Sequence, residues 1–316
     1  MKRLFVSLLL LSMSLPIVTR PAIAAPPAPK PIQVMQQLHF SQVLPEVKAS
    51  YDRGISKFNQ GDHQGAIAEF DRALKAQPNY PEALNWRGNT YGKLQNVEKA
   101  MADYSQAIQL KRDYSRPYNN RALLKRSQKD LKGAIADFNE AIRLEPTLPM
   151  LYRNRANTFL MSEQYQSAAE DFRQIGKIAP QDPMAQNELC KAELLLSNYQ
   201  AGHDACTSAI AIDNQNPEAY TNRGIAAFQL KAYPAAIADL NKAIAINPEQ
   251  AEAYYYLGLI LRSPTSGVAD PSGAIRNFEA ALRLYKKQPQ QYAQTPDRAI
   301  KELEGWLAEL KSSNRK

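Results

Sequence analysis

The sequence has little cysteine, little histidine and no glycine-rich loop. Its 316 residues hold two cysteines, Cys190 and Cys206, and three histidines, His39, His63 and His203. No two histidines stand at the i, i+4 spacing of a helical zinc site, and the cysteines lack a plausible third ligand, so a metal site is not expected. No phosphate-cradling glycine run and no nucleophile motif is present. Carboxylates are numerous, but helix surfaces and the charge pairs described below explain them. The chain therefore does not read as an enzyme: no catalytic residue and no cofactor is expected.

Long apolar runs are scarce too, with one exception. Lys2 and Arg3 precede an apolar stretch from Leu4 to Val18, and Pro21-Ala22-Ile23-Ala24-Ala25 follows. A charged start, a short apolar run and an A-x-A site have the pattern of a secretory signal peptide. The run is about 15 residues, short of the roughly 20 that a spanning helix needs, which favours cleavage over an uncleaved anchor. Cleavage is placed after Ala24. No cysteine lies near the site, so a bacterial lipoprotein is not expected. The expected compartment is a periplasm, a lumen or the exterior, with no stable membrane span after cleavage.

Charge of one sign is not concentrated either. Lys2, Arg3 and Arg20 account for three of the +8 formal charges, leaving +5. The other Lys and Arg residues are scattered, usually near Asp or Glu, which reads as a solvated surface and not as a nucleic-acid footprint.

What the chain does have is repetition. Written at a period of 34, one unit recurs with starts at Val47, Pro81, Ser115, Pro149, Pro183, Pro217 and Ala251. Place 8 of each unit is small: Gly54, Gly88, Ala122, Ala156, Cys190, Gly224, Gly258. Place 20 is Ala in every unit but the fifth, which has Gly202. Place 24 is bulky in six: Phe70, Tyr104, Phe138, Phe172, Leu240 and Phe278, with Cys206 in the fifth. Place 27 is Ala in six units and Ile175 in the fourth. Small residues let two antiparallel helices approach, and the aromatic fills the gap beyond them. Pro78, Pro146, Pro180 and Pro248 mark junctions where one helix stops and the next is seeded. The last unit carries a loop insertion within Arg262 to Gly273. Thr295-Pro296-Asp297 has the pattern of a cap with Pro at the first helical position. The helix after it shows one apolar face, Ala299, Ile300, Leu303, Trp306, Leu307 and Leu310.

This spacing resembles the tetratricopeptide repeat. The resemblance implies an all-α fold: a right-handed α-solenoid of seven helix-turn-helix units, closed by a C-terminal capping helix. The expected layout is a signal peptide (1–24), a Pro-rich tether and leader (25–46), seven repeats (47–288), and the capping helix and tail (289–316). The tether, APPAPKP from Ala25 to Pro31, should be extended, and Gln33 to Leu44 should form a short leading helix.

Comparison of the copies with one another adds a charge pair. Place 7 reads Arg53, Arg87, Arg121, Arg155, Leu189, Arg223, Leu257, and place 23 reads Glu69, Asp103, Asp137, Asp171, Ala205, Asp239, Asn277. Wherever the arginine occurs the acid occurs, and both are lost together. Five salt bridges between the two helices of a unit are expected: Arg53–Glu69, Arg87–Asp103, Arg121–Asp137, Arg155–Asp171 and Arg223–Asp239. The alternative is that these arginines bind an acidic ligand. The fifth unit lacks the pair and holds both cysteines, at places 8 and 24. In an oxidising compartment, and with Cα atoms closer than about 7 Å, a Cys190–Cys206 disulfide is expected to replace the bridge. The alternative is two reduced cysteines acting as small core residues.

The family resemblance further implies that places 2, 5, 9, 12 and 13 line a concave groove that binds protein or peptide partners. Asn85, Asn89, Arg116, Asn119, Arg126, Arg153 and Asn157 stand at such places. Asn can donate to and accept from a peptide backbone, and Arg can grip a carboxylate. The flanking units are more apolar there: Tyr51, Ile55, Phe58, Leu194, Phe228, Tyr255 and Leu259. Arg153 and Asn157 match the start of the clamp with which some members hold chaperone tails, but Glu188 and Glu218 stand where Asn and a cation should follow. The function implied is an exported scaffold or assembly factor. The alternative is a structural envelope component that self-associates or binds cell-wall glycan.

Overall fold

The computed structural model describes residues 43–287 and 296–313. The described residues form helices and turns, with no strand among them. Seven helix pairs follow one another. They are α1 (Pro45–Asn59) with α2 (His63–Ala76), α3 (Pro81–Lys93) with α4 (Val97–Leu110), and α5 (Ser115–Ser127) with α6 (Leu131–Leu144). Next come α7 (Pro149–Met161) with α8 (Tyr165–Ile178), and α9 (Pro183–Leu195) with α10 (Tyr199–Ile212). The last pairs are α11 (Pro217–Gln229) with α12 (Tyr233–Ile246), and α13 (Ala251–Arg262) with α14 (Pro271–Lys287), followed by α15 (Pro296–Ser313). Each first helix packs on its own second helix, and each second helix packs on the next first helix. This is the stacking of an α-solenoid.

Local chemistry sets the helix ends. Pro45, Pro81, Pro149, Pro183 and Pro217 open first helices, where a missing N–H costs nothing. Pro45 is why α1 starts two positions ahead of the expected Val47. Asp62, Asn96 and Asp130 cap second helices by accepting from the backbone N–H groups of Gly65, Lys99 and Gly133. The turn within a pair needs one left-handed residue. Gly61 takes it at φ 81°, but Gln95, Lys129, Glu163, Ser197 and Lys231 take it without being glycine, at φ 58° to 63°.

The core repeats with the period of the chain. Phe70, Phe138, Phe172, Leu240 and Phe278 are fully buried, as are Ala66, Ala100, Ala134, Ala168, Ala236 and Ala274. Each such large side chain contributes roughly 1.5–3 kcal/mol on burial. The small place 8 is a requirement of close approach: a Cβ on Gly54 would stand 2.5 Å from the Phe70 ring, and one on Gly258 2.4 Å from Phe278.

The insertion of the last unit forms a short 3-10 turn, Pro264–Ser266, followed by Gly267 at φ 71°. Helix α15 covers the end of the stack. Leu303 is fully buried against the cluster of Phe278 and Tyr285. The Trp306 ring lies 5.5 Å from Phe278, with the Arg262 guanidinium 5.0 Å above it. The expected signal peptide, tether and leader up to residue 42, and the cap at Thr295, lie outside the described residues. Among those described, no helix is long and apolar enough to cross a membrane.

Candidate functional site

The arginines at place 7 come first because they decide what is free to bind. Each reaches the acid sixteen positions on. Arg87 holds Asp103 at 2.8 and 2.6 Å, Arg121 holds Asp137 at 2.8 and 2.7 Å, and Arg155 holds Asp171 at 2.9 and 2.6 Å. Arg223 holds Asp239 at 2.8 and 2.7 Å, and Arg53 donates to Glu69 at 3.0 Å. The hydrogen bonds to Asp103, Asp137 and Asp239 raise the pKa of Arg87, Arg121 and Arg223. Burial pushes the Glu69 carboxyl up, but Arg53 and Arg72 together bring it below its ordinary value. At Asp171 burial wins over Arg155, and the carboxyl is raised.

A second role of these arginines was not visible in the sequence. The remaining guanidinium nitrogen reaches back to place 25 of the preceding unit: Arg87 to Asp71, Arg121 to Ser105, Arg155 to Asn139 and Arg223 to Thr207. One residue thus ties two helices of its own unit and staples that unit to its neighbour. In the fourth unit place 25 is Arg173, and the polarity reverses. Arg173 donates forward to Glu193 of the fifth unit, which is 2% exposed and also accepts from Asn198 at 2.9 Å. The signal in the sequence was an arginine at place 25 just ahead of the unit whose own place 7 is Leu189.

In that fifth unit Cys190 and Cys206 are joined by a disulfide with Cα atoms 5.2 Å apart. Both are fully buried, packed with Leu189, Leu194 and Ala205. The bond occupies the small and bulky core places at once.

The residues expected to line the groove divide into two sets. Asn85 and Asn119 are 2% and 6% exposed, and their amides are engaged between neighbouring first helices. Asn120 donates to Asn85 at 3.0 Å and Asn154 to Asn119 at 2.9 Å. Asn222 to Asn187 repeats the pattern. A separation of 35 sets place 5 against place 6 of the next unit, so these amides form a ladder between neighbouring first helices. Arg153 is paired with Asp182.

The other four remain on the first-helix face. The Asn89 carbonyl accepts from the Tyr104 hydroxyl at 2.8 Å and from Asn120 at 2.9 Å. Both donors fix the orientation of the amide. Arg116 is exposed. Asn157 is half-buried. Arg126 is half-buried, and burial lowers its pKa. Its Nη1 donates to the Asn154 main-chain carbonyl at 3.2 Å, and no carboxylate pairs with it among the described residues.

Beside Asn89 lies a cavity of about 520 Å³ lined by Phe58, Trp86, Leu123, Leu124, Tyr104 and Ser127 among others. Phe58 and Trp86 meet edge to face at 5.4 Å. Phe58 was among the apolar residues expected on this face. Trp86, Leu123 and Leu124 were not: Trp86 and Leu124 stand at places 6 and 10, outside the places the family pattern assigns to the groove, and Leu123 takes a place that Asn holds in its neighbours. A second cavity, about 620 Å³, lies between α7 and α9 and is lined by Leu160, Met161, Glu163, Tyr165, Glu188, Lys191 and Leu195. Met161 and Leu195 are 55% and 54% exposed there. Among the described residues no three His, Cys, Asp or Glu side chains gather as metal ligands.

Models of the tetratricopeptide repeat match residues 51–115, 115–148 and 217–250. No curated protein matches the chain significantly. Among solved structures, the C-terminal part of a tetratricopeptide-repeat-containing protein from Cytophaga hutchinsonii is similar at TM-score 0.62 and 16% identity, covering 79% of this chain and 98% of that one. A tetratricopeptide repeat protein from Parabacteroides merdae is similar at TM-score 0.55 and 17% identity, over 84% and 99%. YrrB, described as a tetratricopeptide-repeat protein with an unusual peptide-binding site, is similar at TM-score 0.54 and 18% identity, over 59% and 96%. At these identities the likeness is one of fold. Three repeat matches, together with seven consecutive helix pairs built on one small-residue and aromatic pattern, show that the chain belongs to the tetratricopeptide-repeat family.

Proposed function

We propose that this protein is an exported interaction scaffold that holds an extended segment of a protein partner along its first-helix face. The observation that carries this reading is the apolar cavity under Trp86 and Leu123, with the fixed Asn89 amide at its rim. An apolar pocket with a few placed polar groups is the usual form of a binding site. The five place-7 arginines are not part of it, because each already has its own acid. The likeness to YrrB is compatible with peptide binding and supports no more than that. Export rests on the amino-terminal pattern and on a disulfide in the fifth unit, a bond that persists in oxidising compartments. The first residue of the mature chain is then Ala25, which amino-terminal sequencing of the exported protein checks.

The test is affinity capture from an envelope extract, with the native chain and with Leu124→Glu as baits. Leu124 is half-buried at the cavity, and circular dichroism shows whether the variant stays folded. One defined protein, captured by the native bait and lost with the variant, supports the reading. Recovery of glycan alone, or only of the bait itself, sinks it.

A further inference from the structure

The cavity at Trp86 differs in charge from two others on the first-helix face. Glu163 and Glu188 line the cavity between α7 and α9. Glu218 and Glu252 line a third, of about 310 Å³, on α9, α11 and α13. Lys191 is shared by both, so each has two carboxylates to one ammonium. The Trp86 cavity has no carboxylate on its wall, and its one charged side chain is Lys93. An acid on a ligand is repelled at the first two and drawn to the third, which is discrimination by charge.

The polar groups of the Trp86 wall narrow the choice further. Most are spent within the protein. The Tyr104 hydroxyl and the Asn120 amide both donate to the Asn89 side-chain carbonyl. The Asn120 carbonyl accepts from Asn119 at 3.2 Å, and the Ser127 hydroxyl donates to the Leu124 main-chain carbonyl at 2.6 Å. Two donors are left. Lys93 is exposed and forms no ion pair among the described residues. The Asn89 NH2 has no acceptor among them either. An ammonium and an amide NH2 can only donate, and a carboxylate is the acceptor that serves both.

The rest of the wall is apolar. Phe58, Trp86, Leu123 and Leu124 are all half-buried there, and the first two rings meet edge to face at 5.4 Å. A third ring entering between them gains aromatic contacts beyond its buried area. Resting on the interaction reading above, we infer that the partner segment anchors in this cavity through an aromatic side chain flanked by acidic residues. The ring lies against Phe58 and Trp86, and a carboxylate takes the free donors of Lys93 and Asn89.

Pentapeptides with blocked ends, titrated into the mature, oxidised protein, test this. The probe has phenylalanine at its centre and glutamate at the other four places, so no register is assumed. Three controls replace the glutamates by glutamine, the glutamates by lysine, or the phenylalanine by glycine. The chain has two tryptophans, so Trp306→Phe leaves Trp86 fluorescence as a local reporter. The glutamate probe should bind about two- to fivefold more tightly than the glutamine control at low salt, the range of an exposed ion pair, and salt should narrow the gap. The glycine control should bind at least about tenfold more weakly than the probe, through the lost burial of a ring. Lys93→Gln should abolish the preference for acid, and Lys93→Glu should reverse it in favour of the lysine control. Lys93 is exposed, so both variants fold. Equal binding of the glutamate and glutamine peptides overturns the inference. So does a preference for acid that survives both variants, since it then comes from the general positive charge of the chain. A partner captured by the native bait and lost with Leu124→Glu, with no probe bound, refutes this inference and leaves the interaction reading standing. Probes that discriminate as expected, with no partner captured, refute that reading alone.

Discussion

Arg155→Leu is the perturbation that tests the repeat staple most sharply. Asp171 is 4% exposed, and Arg155 is the one cation paired with it among the described residues. Its carboxyl is already raised by burial in the native protein. Leucine is a fair replacement, because Leu189 and Leu257 hold the same place in the fifth and seventh units. Removing one partner of a buried pair costs about 3–5 kcal/mol, because the charge left behind is uncompensated. Arg121→Leu should cost less, since Lys125 also contacts Asp137 at 2.8 Å. Adding Asp171→Ala to Arg155→Leu should restore much of the loss, giving a coupling of about 2–3 kcal/mol in a double-mutant cycle read by urea denaturation. The pH dependence supplies a second readout. An acid whose folded pKa is raised binds more protons folded than unfolded, so its share of stability grows as pH falls through the window above the unfolded value. Arg155→Leu raises Asp171 further, so the gap between variant and native protein should narrow on acidification from neutral pH. A gap that is independent of pH, or a double mutant no more stable than the sum of the singles predicts, refutes the reasoning.

Thiol counting on the unfolded, unreduced protein should find no free thiol, and Cys190→Ala with Cys206→Ala should lose about 3 kcal/mol, the chain-entropy value for a loop of roughly 15 residues; two free thiols would overturn this. Gly258→Ala should destabilise by about 1–3 kcal/mol, because the new Cβ stands 2.4 Å from a Phe278 ring that has no room to retreat. Gly305→Ala, where nothing lies within 4 Å, should instead stabilise by up to about 1 kcal/mol through helix propensity; thermal unfolding distinguishes the two. Lys129→Gly should stabilise by about 0.5–1 kcal/mol, since Lys129 holds a left-handed turn at φ 63° that costs an L-residue about 1–2 kcal/mol, less the entropy glycine brings.

The period of 34 determined the repeating helix pairs, because the contacts that build them are local: place 8 meets place 24 of its own unit, and place 7 meets place 23. Comparing the copies was enough to pair Arg121 with Asp137 and to mark the fifth unit by its two cysteines. Contacts between units were harder to read. The asparagines at place 5 were expected to face a peptide, and nothing in one unit's spacing showed that Asn85 and Asn119 hold the next unit's Asn120 and Asn154. The third bond of Arg87, Arg121, Arg155 and Arg223, and its reversal at Arg173 and Glu193, also cross from one unit to the next. Which side chain is free to bind is a remainder, left after every such contact between units has been made. Arg126 and Asn157 stand at groove places like those of Arg153 and Asn119, and the packing of neighbouring helices pairs Arg153 with Asp182 and Asn119 with Asn154. The cavities have the same origin. Phe58, Trp86, Leu123 and Leu124 form a hollow because α1, α3 and α5 bring them together from three units, a meeting that no spacing within one unit can specify.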